Sequence, residues 1–421
     1  MLLLNKLNIG FIIFFYVFSN QAIASLFDSG ETTSYSAIRE RRPLNILFVV
    51  QYFPAPSQTY VLNMITGLID NGHNVLIFAL SENSSVGAQS EVEKYGLLDR
   101  VIYEQLPEEL PDCDIVFCQN GFVGRKILEV NRLAEWLNQR KLVVCLRGGD
   151  ITMDVKDNPN LYVELFQSGD LFLPVCDYFK KKLITLGCNS DKIIVYHSAI
   201  NCSQFEFKNR KKTNKDILHF VSVCRLIQKK GIDFAIKALA IVIKKYKKVH
   251  FTVVGDGCER AHLEALIKKL KMENYVTLFG WGTQKEVIEI LDKSHIFLLP
   301  SRTSRRGSEE GIANALKEAM AMGLISIATW HAGTPELIDD GVSGFLVPEK
   351  NSKELAKKIE YVIEHPEMWE SVALAARKKI ENEFETKKSV QQLEQIFYGL
   401  LNEHSMPEAH LLPMYANGSI V

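Results

Sequence analysis

The feature that most constrains the fold is a repeated alternation of short apolar runs with longer segments of helical periodicity. The apolar runs are continuous, which is typical of parallel strands buried on both faces. A first series of predicted strands comprises residues 45–52, 74–80, 114–118, 142–146, 171–175 and 192–197. A second series comprises residues 217–224, 250–255, 275–280, 295–300, 324–329 and 344–348. Two such series predict an α/β protein with two doubly wound, Rossmann-like domains and a ligand cleft between them.

A charged stretch without periodicity, residues 207–216, separates the two series and is interpreted as a linker. We therefore predict an N-terminal domain at 43–207 and a C-terminal domain at 215–385. Helical patterns follow at 352–364 and 367–384, and a last helix at 386–402 is predicted to return to the N-terminal domain. The tail, residues 403–421, receives no assignment.

The first 24 residues have the layout of a secretory signal, with an apolar run and a small-x-small site at Ala22-Ile23-Ala24. The run is shorter than the roughly 20 residues that a spanning helix needs. Three interpretations stay open: a cleaved signal, an imperfect membrane anchor, or an extension upstream of the domain. Residues 25–42 are polar and are interpreted as a tether.

Charge and cysteine content exclude several classes of protein. The 421 residues include 49 Lys and Arg against 50 Asp and Glu, a net charge of −1 that gives no support for nucleic-acid binding. The eight cysteines form no C-x2-C pair and mostly lie in apolar runs, as expected of buried thiols in a reducing compartment. We predict no metal site, including at the C-x4-C pair Cys113 and Cys118.

Candidate ligand-binding residues concentrate in the second half. Arg225 and Lys230 lie at a strand-to-helix turn followed by Gly231, where two cations and a helix N-terminus suit a diphosphate. A solvated basic loop is the alternative. After the next predicted strand, the glycines at 255 and 257 predict a tight turn with room for a ligand.

The stretch 308–323 carries two carboxylates at a spacing suited to a sugar nucleotide. Glu310, Asn314 and Glu318 are four residues apart, so one helix would display all three on one side, with the two carboxylates about 12 Å apart. Glu310 would then lie at the helix start, where backbone amides attract anions. The alternative is a surface helix with a solvated acidic edge.

Several of these segments together resemble retaining glycosyltransferases of family four, which have the GT-B fold. The resemblance covers roughly residues 45–400. In the second half it rests on VSVCRLIQKKGIDFAIKAL, VVGDG, LFGWGTQKEVIEIL, HIFLLPS, EEGIANALKEAMAMG and WHAGTPELIDDGVSGFLVPEKN. In the first half, YFPAPSQTYVLNMITGLIDNGHNV and LPVCDYFKKKLITLGCNSDKIIVYHSAINCSQF are similar to the colanic-acid and amylovoran type.

The resemblance implies a role for each matching residue. Arg225 and Lys230 would bind the donor diphosphate and stabilise charge on the leaving nucleotide. Glu310 and Glu318 match the E-x7-E motif, so Glu310 would bind the transferred sugar and Glu318 the ribose hydroxyls. Remaining donor contacts are implied for the Gly311 and Ile312 amides, for the turn at Gly255, and for Gly280 and Trp281 near the base, while His331 lies in the donor-side loop.

The N-terminal domain is implied to bind the acceptor, and there the sequence departs from the family pattern. Arg147-Gly148-Gly149-Asp150 stands for the usual H-G-x-D, so that Arg147 and Asp150 become the candidate sugar or acceptor contacts. Ser57 is a further candidate contact, and Gln58 replaces an acidic residue. Cys224 and Ala313 replace a glycine and a proline.

The sequence thus predicts a retaining, metal-independent hexosyltransferase without a cofactor. It would use a nucleotide-diphospho-sugar and a lipid-linked or oligosaccharide acceptor in surface polysaccharide synthesis, at the cytoplasmic face of the inner membrane. Lys180, Lys181 and Lys182 are interpreted as a solvated helix edge, with contact to anionic lipid as the alternative. Two other functions stay open: a sugar-nucleotide 2-epimerase of the same fold, and an inactive exported sugar-binding protein.

Overall fold

Twelve strands organise the described chain, which in this computed structural model is residues 42–55, 58–82, 90–103, 112–129, 137, 140–211 and 217–402. The first six strands are β1 (Asn45–Phe53), β2 (Asn74–Glu82), β3 (Val101–Tyr103), β4 (Ile115–Cys118), β5 (Lys141–Leu146) and β6 (Leu171–Pro174). The second six are β7 (Leu218–Val223), β8 (Val249–Val254), β9 (Val276–Gly280), β10 (Ile296–Leu299), β11 (Ile325–Thr329) and β12 (Phe345–Val347).

The strands form two parallel sheets, with orders β3-β2-β1-β4-β5-β6 and β12-β11-β10-β7-β8-β9. Each order reverses direction once, between β1 and β4 in the first sheet and between β7 and β10 in the second. These reversal points are where doubly wound sheets open a crevice at the carboxyl ends of their strands. The predicted class, α/β with two doubly wound sheets, is confirmed.

The predicted strand at 192–197 is wrong. Its residues follow a 3-10 turn at Ser190–Lys192 and run beside β6, with Ile194 N and Tyr196 N donating to Phe172 O and Pro174 O over 3.1 and 2.9 Å. The sixth strand is instead β3, which is only three residues long and partly buried. So short a run carries almost no apolar signal, whereas the irregular 192–197 segment is apolar because it packs on the sheet.

Fifteen helices flank the sheets in the described ranges. Those of the first half are α1 (Thr59–Asp70), α2 (Ser90–Lys94), α3 (Gly121–Leu128), α4 (Gly149–Thr152), α5 (Asp154–Asp157), α6 (Val163–Ser168) and α7 (Asp177–Thr185). Those of the second half are α8 (Ile232–Val242), α9 (Arg260–Lys269), α10 (Gln284–Asp292), α11 (Asn314–Ala321), α12 (Thr334–Leu337), α13 (Ser352–Glu364), α14 (Trp369–Glu383) and α15 (Thr386–Leu401).

Helix α15 returns to the first sheet, as predicted. Its buried face inserts Phe397 against Phe117 of β4, with ring centroids 5.3 Å apart. Glu394 of the same helix lies 2.6 Å from His73 Nε2, while His73 Nδ1 accepts from Leu44 N at 3.1 Å. Because Nδ1 accepts, the ring proton lies on Nε2 and donates to the carboxylate. His73 is therefore a buried residue with both ring nitrogens hydrogen-bonded. It links α15 to Leu44, directly before β1.

The two halves share one buried apolar cluster. Val175 and Phe179 of the first half belong to the same cluster as Ile312, Leu316 and Leu337 of the second. The described residues from Leu44 onward accordingly belong to a single compact unit. Because no residue of this cluster is charged, its burial favours close apposition of the two halves through the hydrophobic effect.

Six of the eight cysteines are buried, all eight are free thiols, and only Cys258 is exposed. None of the described helices combines the length and apolarity that crossing a bilayer requires. The signal-like residues 1–24 and most of the tether lie outside the described residues.

Three histidines lie together at the amino end of the second sheet. His219 stacks on His295 at 6.0 Å and lies 6.3 Å from His250, and its backbone amide donates to His295 Nδ1. Burial, with a smaller contribution from His250, lowers the pKa of His219. The unfolded chain then binds more protons than the folded chain below the ordinary histidine pKa of about 6.5.

We therefore expect the melting temperature to fall as pH drops from 7 to 5.5, and to fall less in His219→Gln. Scanning calorimetry at both pH values measures the difference between the two proteins, which isolates His219 from other titrating groups. Identical pH profiles would contradict the contribution of His219.

Candidate active site

The turn between β7 and α8 lies at the reversal point of the second sheet and carries the predicted cations. Residues Gln228–Lys230 form one 3-10 turn, and Gly231 follows with φ of +66°. A Cβ on Gly231 would lie 1.9 Å from the carbonyl oxygen of Pro300, directly after β10. The glycine is thus required by close packing of protein backbone, which places Lys230 beside the end of β10.

Lys230 and Glu310 form the centre of the site. Lys230 Nζ lies 2.6 Å from Glu310 Oε2, and Lys229 Nζ lies 3.6 Å from the same oxygen. Burial alone would raise the pKa of Glu310, but the two ammonium groups outweigh burial and place it well below its usual range. The carboxylate is therefore ionised at neutral pH and orients the Lys230 ammonium.

A chain of hydrogen bonds fixes the backbone of Glu310. Its amide donates to His331 Nε2 at 2.9 Å, and His331 Nδ1 lies 2.5 Å from Glu349 Oε1. Since Nε2 accepts, the ring proton is on Nδ1 and donates to Glu349. Glu349 also accepts from the amide of Thr303 at 3.0 Å. His331, which the sequence placed in the donor-side loop, thus acts on Glu310 through its backbone.

Arg225 is exposed at the carboxyl end of β7. Among the described residues, no carboxylate lies within ion-pair distance of its guanidinium. Burial raises the pKa of the Tyr60 phenol, and the nearby charges of Arg147 and Arg225 oppose that rise. Arg225 thus lies close enough to Tyr60 of the first half for its charge to act on the phenol.

The predicted helical placement of Glu310 is wrong. Helix α11 begins at Asn314, so Glu310, Gly311 and Ile312 lie in the non-helical segment before it. A Cβ on Gly311 would lie 2.8 Å from Val175 and 3.2 Å from Phe179. Packing against the first half keeps this segment out of the helix. The distance predicted for Glu310 and Glu318 on one helix therefore does not apply.

Glu318 lies on α11, next to a buried lysine that the sequence reasoning missed. Lys317 is fully buried and donates to the carbonyl of Ser198 in the first half and to Asn314 Oδ1 at 3.1 Å. Burial lowers the pKa of Lys317 to about 7 and raises that of Glu318 to about 7. Its position between Leu316 and Met320, on the apolar side of the helix, could have identified Lys317 as buried.

The predicted base-binding segments meet at the ends of β8 and β9. Gly255 N donates to Gly280 O at 2.7 Å, and Trp281 follows with its side chain 66% exposed. A Cβ on Gly255 would lie 1.9 Å from the carbonyl oxygen of Cys224. The glycine turn therefore makes room for a neighbouring loop, and the Trp281 indole is exposed beside it.

Arg147 and Asp150 have different surroundings. Arg147 stacks on Tyr60 at 4.1 Å and donates to Ser198 Oγ and Gln119 Oε1 at 2.7 and 3.0 Å. It also lines a small pocket together with Asn63, Tyr196 and Ser389. Asp150 is buried and accepts from backbone amides, including Gly148 at 2.8 Å and Gly121 at 3.2 Å. Its carboxylate therefore orders two loops, whereas the Arg147 side chain links β5 to Ser198 and Tyr60.

The structure thus brings together Arg225, Lys230, Glu310 and His331 at one reversal point, with Glu318 on the adjoining helix. Ser57 lies outside the described residues.

Three further residues of the site were not predicted from the sequence: Lys229, Glu309 and Glu349. Of these, Glu349 could have been predicted, because it closely follows β12. No cluster of three His, Cys, Asp or Glu side chains suited to a metal ion occurs among the described residues.

Two comparisons with known protein sequences indicate the family of this chain. The family model for glycosyl transferases group 1 matches residues 203–379. The amylovoran biosynthesis glycosyltransferase AmsK of Erwinia amylovora is 30% identical over 406 residues, covering 84% of this chain and 99% of that protein.

Solved structures show the same fold. A glycosyltransferase from Rickettsia africae superposes with a TM-score of 0.69 at 19% identity, covering 86% of this chain and 99% of that one. HepE from Anabaena, in complex with UDP and glucose, gives 0.68 at 18% identity, covering 84% and 99%. The two doubly wound sheets are thus those of GT-B glycosyltransferases. This chain belongs to the family of group 1 glycosyl transferases.

Proposed function

We propose that this protein transfers a hexose from a UDP- or GDP-sugar to a lipid-linked or oligosaccharide acceptor, with retention of configuration, in the synthesis of a surface polysaccharide. The observation that carries the proposal is the Lys230–Glu310 pair beside the exposed Arg225, with Glu318 on the next helix. The name of AmsK supports the polysaccharide assignment, and the UDP and glucose bound to HepE support the donor class.

The chemistry follows from the charges at the reversal point. When the bond between the sugar and the diphosphate breaks, negative charge develops on the β-phosphate oxygens. Lys230 forms an ion pair with Glu310, and its ammonium N–H donors can meet these oxygens together with Arg225. Glu310, ionised and fixed by His331, accepts hydrogen bonds from hydroxyls of the transferred sugar, and Arg147 contacts the acceptor from the opposite side.

The reaction is tested with the full chain and radiolabelled UDP- and GDP-sugars, in the presence of lipid-linked or oligosaccharide acceptors. Transfer that requires an acceptor, with the anomeric configuration of the donor preserved in the product by NMR, supports the proposal. Interconversion of the sugar nucleotide without any acceptor would establish the 2-epimerase instead. Failure to bind any sugar nucleotide would favour the inactive sugar-binding protein.

We propose that no divalent metal is needed, because Arg225 and Lys230 supply the positive charge that a metal would bring to the diphosphate. Turnover is expected to change by less than about twofold after treatment with EDTA and after addition of Mg²⁺ or Mn²⁺. A loss of activity with EDTA that Mg²⁺ restores would contradict this.

We place the reaction at the cytoplasmic face of the inner membrane, where activated sugars are available. Sequencing of the mature N-terminus tests this placement, since removal of residues 1–24 would indicate export.

A further inference from the structure

Glu309, the residue before Glu310, is buried and its side chain points to the first half of the molecule. Its Oε1 accepts from the Tyr178 hydroxyl at 3.0 Å, and its Oε2 lies 2.5 Å from Lys182 Nζ. Both partners belong to α7. Lys182 is therefore not part of a solvated helix edge, which corrects the sequence interpretation for this residue.

The backbone of Glu309 is fixed as well. Its amide donates to Thr152 Oγ1 at 3.3 Å, and its carbonyl accepts from Lys229 Nζ at 2.9 Å. The carbonyl also lies 3.3 Å from the position that a Cβ on Gly148 would occupy. Glu309 thus connects α7, the Thr152 helix and the lysine turn that carries Lys230.

A second carboxylate from the second half binds the start of the same helix. Glu336 accepts from the amides of Asp177 and Tyr178 at 2.9 and 3.1 Å. Cys176, the residue at the N-cap of α7, provides no capping side chain. Free amides at a helix start are stabilised by an anionic acceptor. Glu336, from the second half, therefore supplies the capping carboxylate that α7 has no residue of its own to provide.

We propose that Glu309 and Glu336 form a clasp on α7 that positions Glu310 for the donor. Glu309 ties the chain to α7 just before Glu310, and Gly311 packs directly after it, with a Cβ position 2.8 Å from Val175 and 3.2 Å from Phe179. Glu336, also of the second half, holds the start of α7. Donor binding in the second half thereby depends on contact with the first half. Tyr178 and Lys182 are positioning residues, because they act on Glu310 through Glu309 and do not contact the donor themselves. This inference rests on the proposed function, because it takes Glu310 as a donor contact.

The experiment compares Lys182→Met and Tyr178→Phe with Lys181→Met as the matched control. Lys181 is exposed on the same helix, and among the described residues its ammonium has no ion-pair partner. Lys182→Arg keeps the cation and should restore the behaviour of the unaltered protein. Because Tyr178 is exposed and Lys182 is half-buried, these variants are expected to fold.

Two readouts are measured on the full chain. Amide hydrogen exchange in residues 308–313 needs no ligand and is expected to accelerate at least about fivefold in Lys182→Met and Tyr178→Phe, but not in Lys181→Met. Titration calorimetry with UDP and GDP is expected to show at least about fivefold weaker binding in the same two variants, reversed by Lys182→Arg.

Unchanged exchange in residues 308–313 would overturn the clasp. Accelerated exchange with the affinity of the unaltered protein would also overturn it, because the clasp would then be structural without positioning Glu310. If the unaltered protein binds neither nucleotide, the proposed function fails, and the ligand-free exchange shows separately whether the clasp exists.

Discussion

Lys230→Ala is expected to lower turnover by about two orders of magnitude, the range measured when one electrostatic donor to a transition state is lost. The ammonium is oriented by Glu310 at 2.6 Å and lies at the reversal point of the second sheet, so it needs no reorganisation as charge develops. Lys229 remains 3.6 Å from the same carboxylate in the variant. Glu310 therefore keeps one cation, and the fold should survive.

The measurement is a steady-state assay of sugar transfer, with circular dichroism to verify the fold. Lys237→Ala is the matched control, because Lys237 lies one turn into α8 and pairs with Asp233 at 2.8 Å, away from Glu310. The control is expected to keep the turnover of the unaltered protein. Normal turnover in a folded Lys230→Ala protein would remove Lys230 from the reaction.

Glu318→Ala is expected to weaken nucleotide binding by about 10- to 100-fold, since a hydrogen bond to a charged group is worth roughly 1.5–3 kcal/mol. Burial raises the pKa of Glu318 to about 7, so the carboxylate is partly protonated at neutral pH. Ribose hydroxyls donate to the ionised form and favour it. Affinity should therefore rise as pH increases from 6 to 8.

Calorimetric titration with UDP and GDP at both pH values tests this. Glu318→Gln keeps the shape of the side chain without its titration, so comparison with the unaltered protein separates Glu318 from Lys317, whose pKa also lies near 7. If Glu318→Ala binds every nucleotide as tightly as the unaltered protein does, the ribose role is excluded.

The sequence predicted the second sheet better than the first for a physical reason. Strands β7 to β12 are mostly apolar runs, and each was predicted within a few residues. In the first sheet β3 is too short to carry a pattern, and residues 192–197 are apolar through tertiary packing. Apolar content reports burial, and it does not distinguish a strand from an extended segment lying on one.

The candidate site was predictable where ligand chemistry alone dictates the residues. Arg225 and Lys230 were recognised from their spacing after β7, but no periodicity reveals that Glu310 precedes its helix, because packing of Gly311 against Val175 decides it. Glu309 and Lys317 were missed for the same reason. Their partners, Lys182 and Ser198, lie more than a hundred residues away in the chain.

The return of α15 to the first sheet has a consequence for how the protein is made. Phe117 of β4 is covered by Phe397, and the loop at His73 is completed by Glu394. Almost the entire chain must therefore be synthesised before α15 can pack on the first sheet. Until then, an apolar face of the nascent first sheet stays open to chaperones. A stop codon just before α15 would leave the second sheet intact. It would nevertheless uncover the first sheet, which is encoded at the other end of the gene.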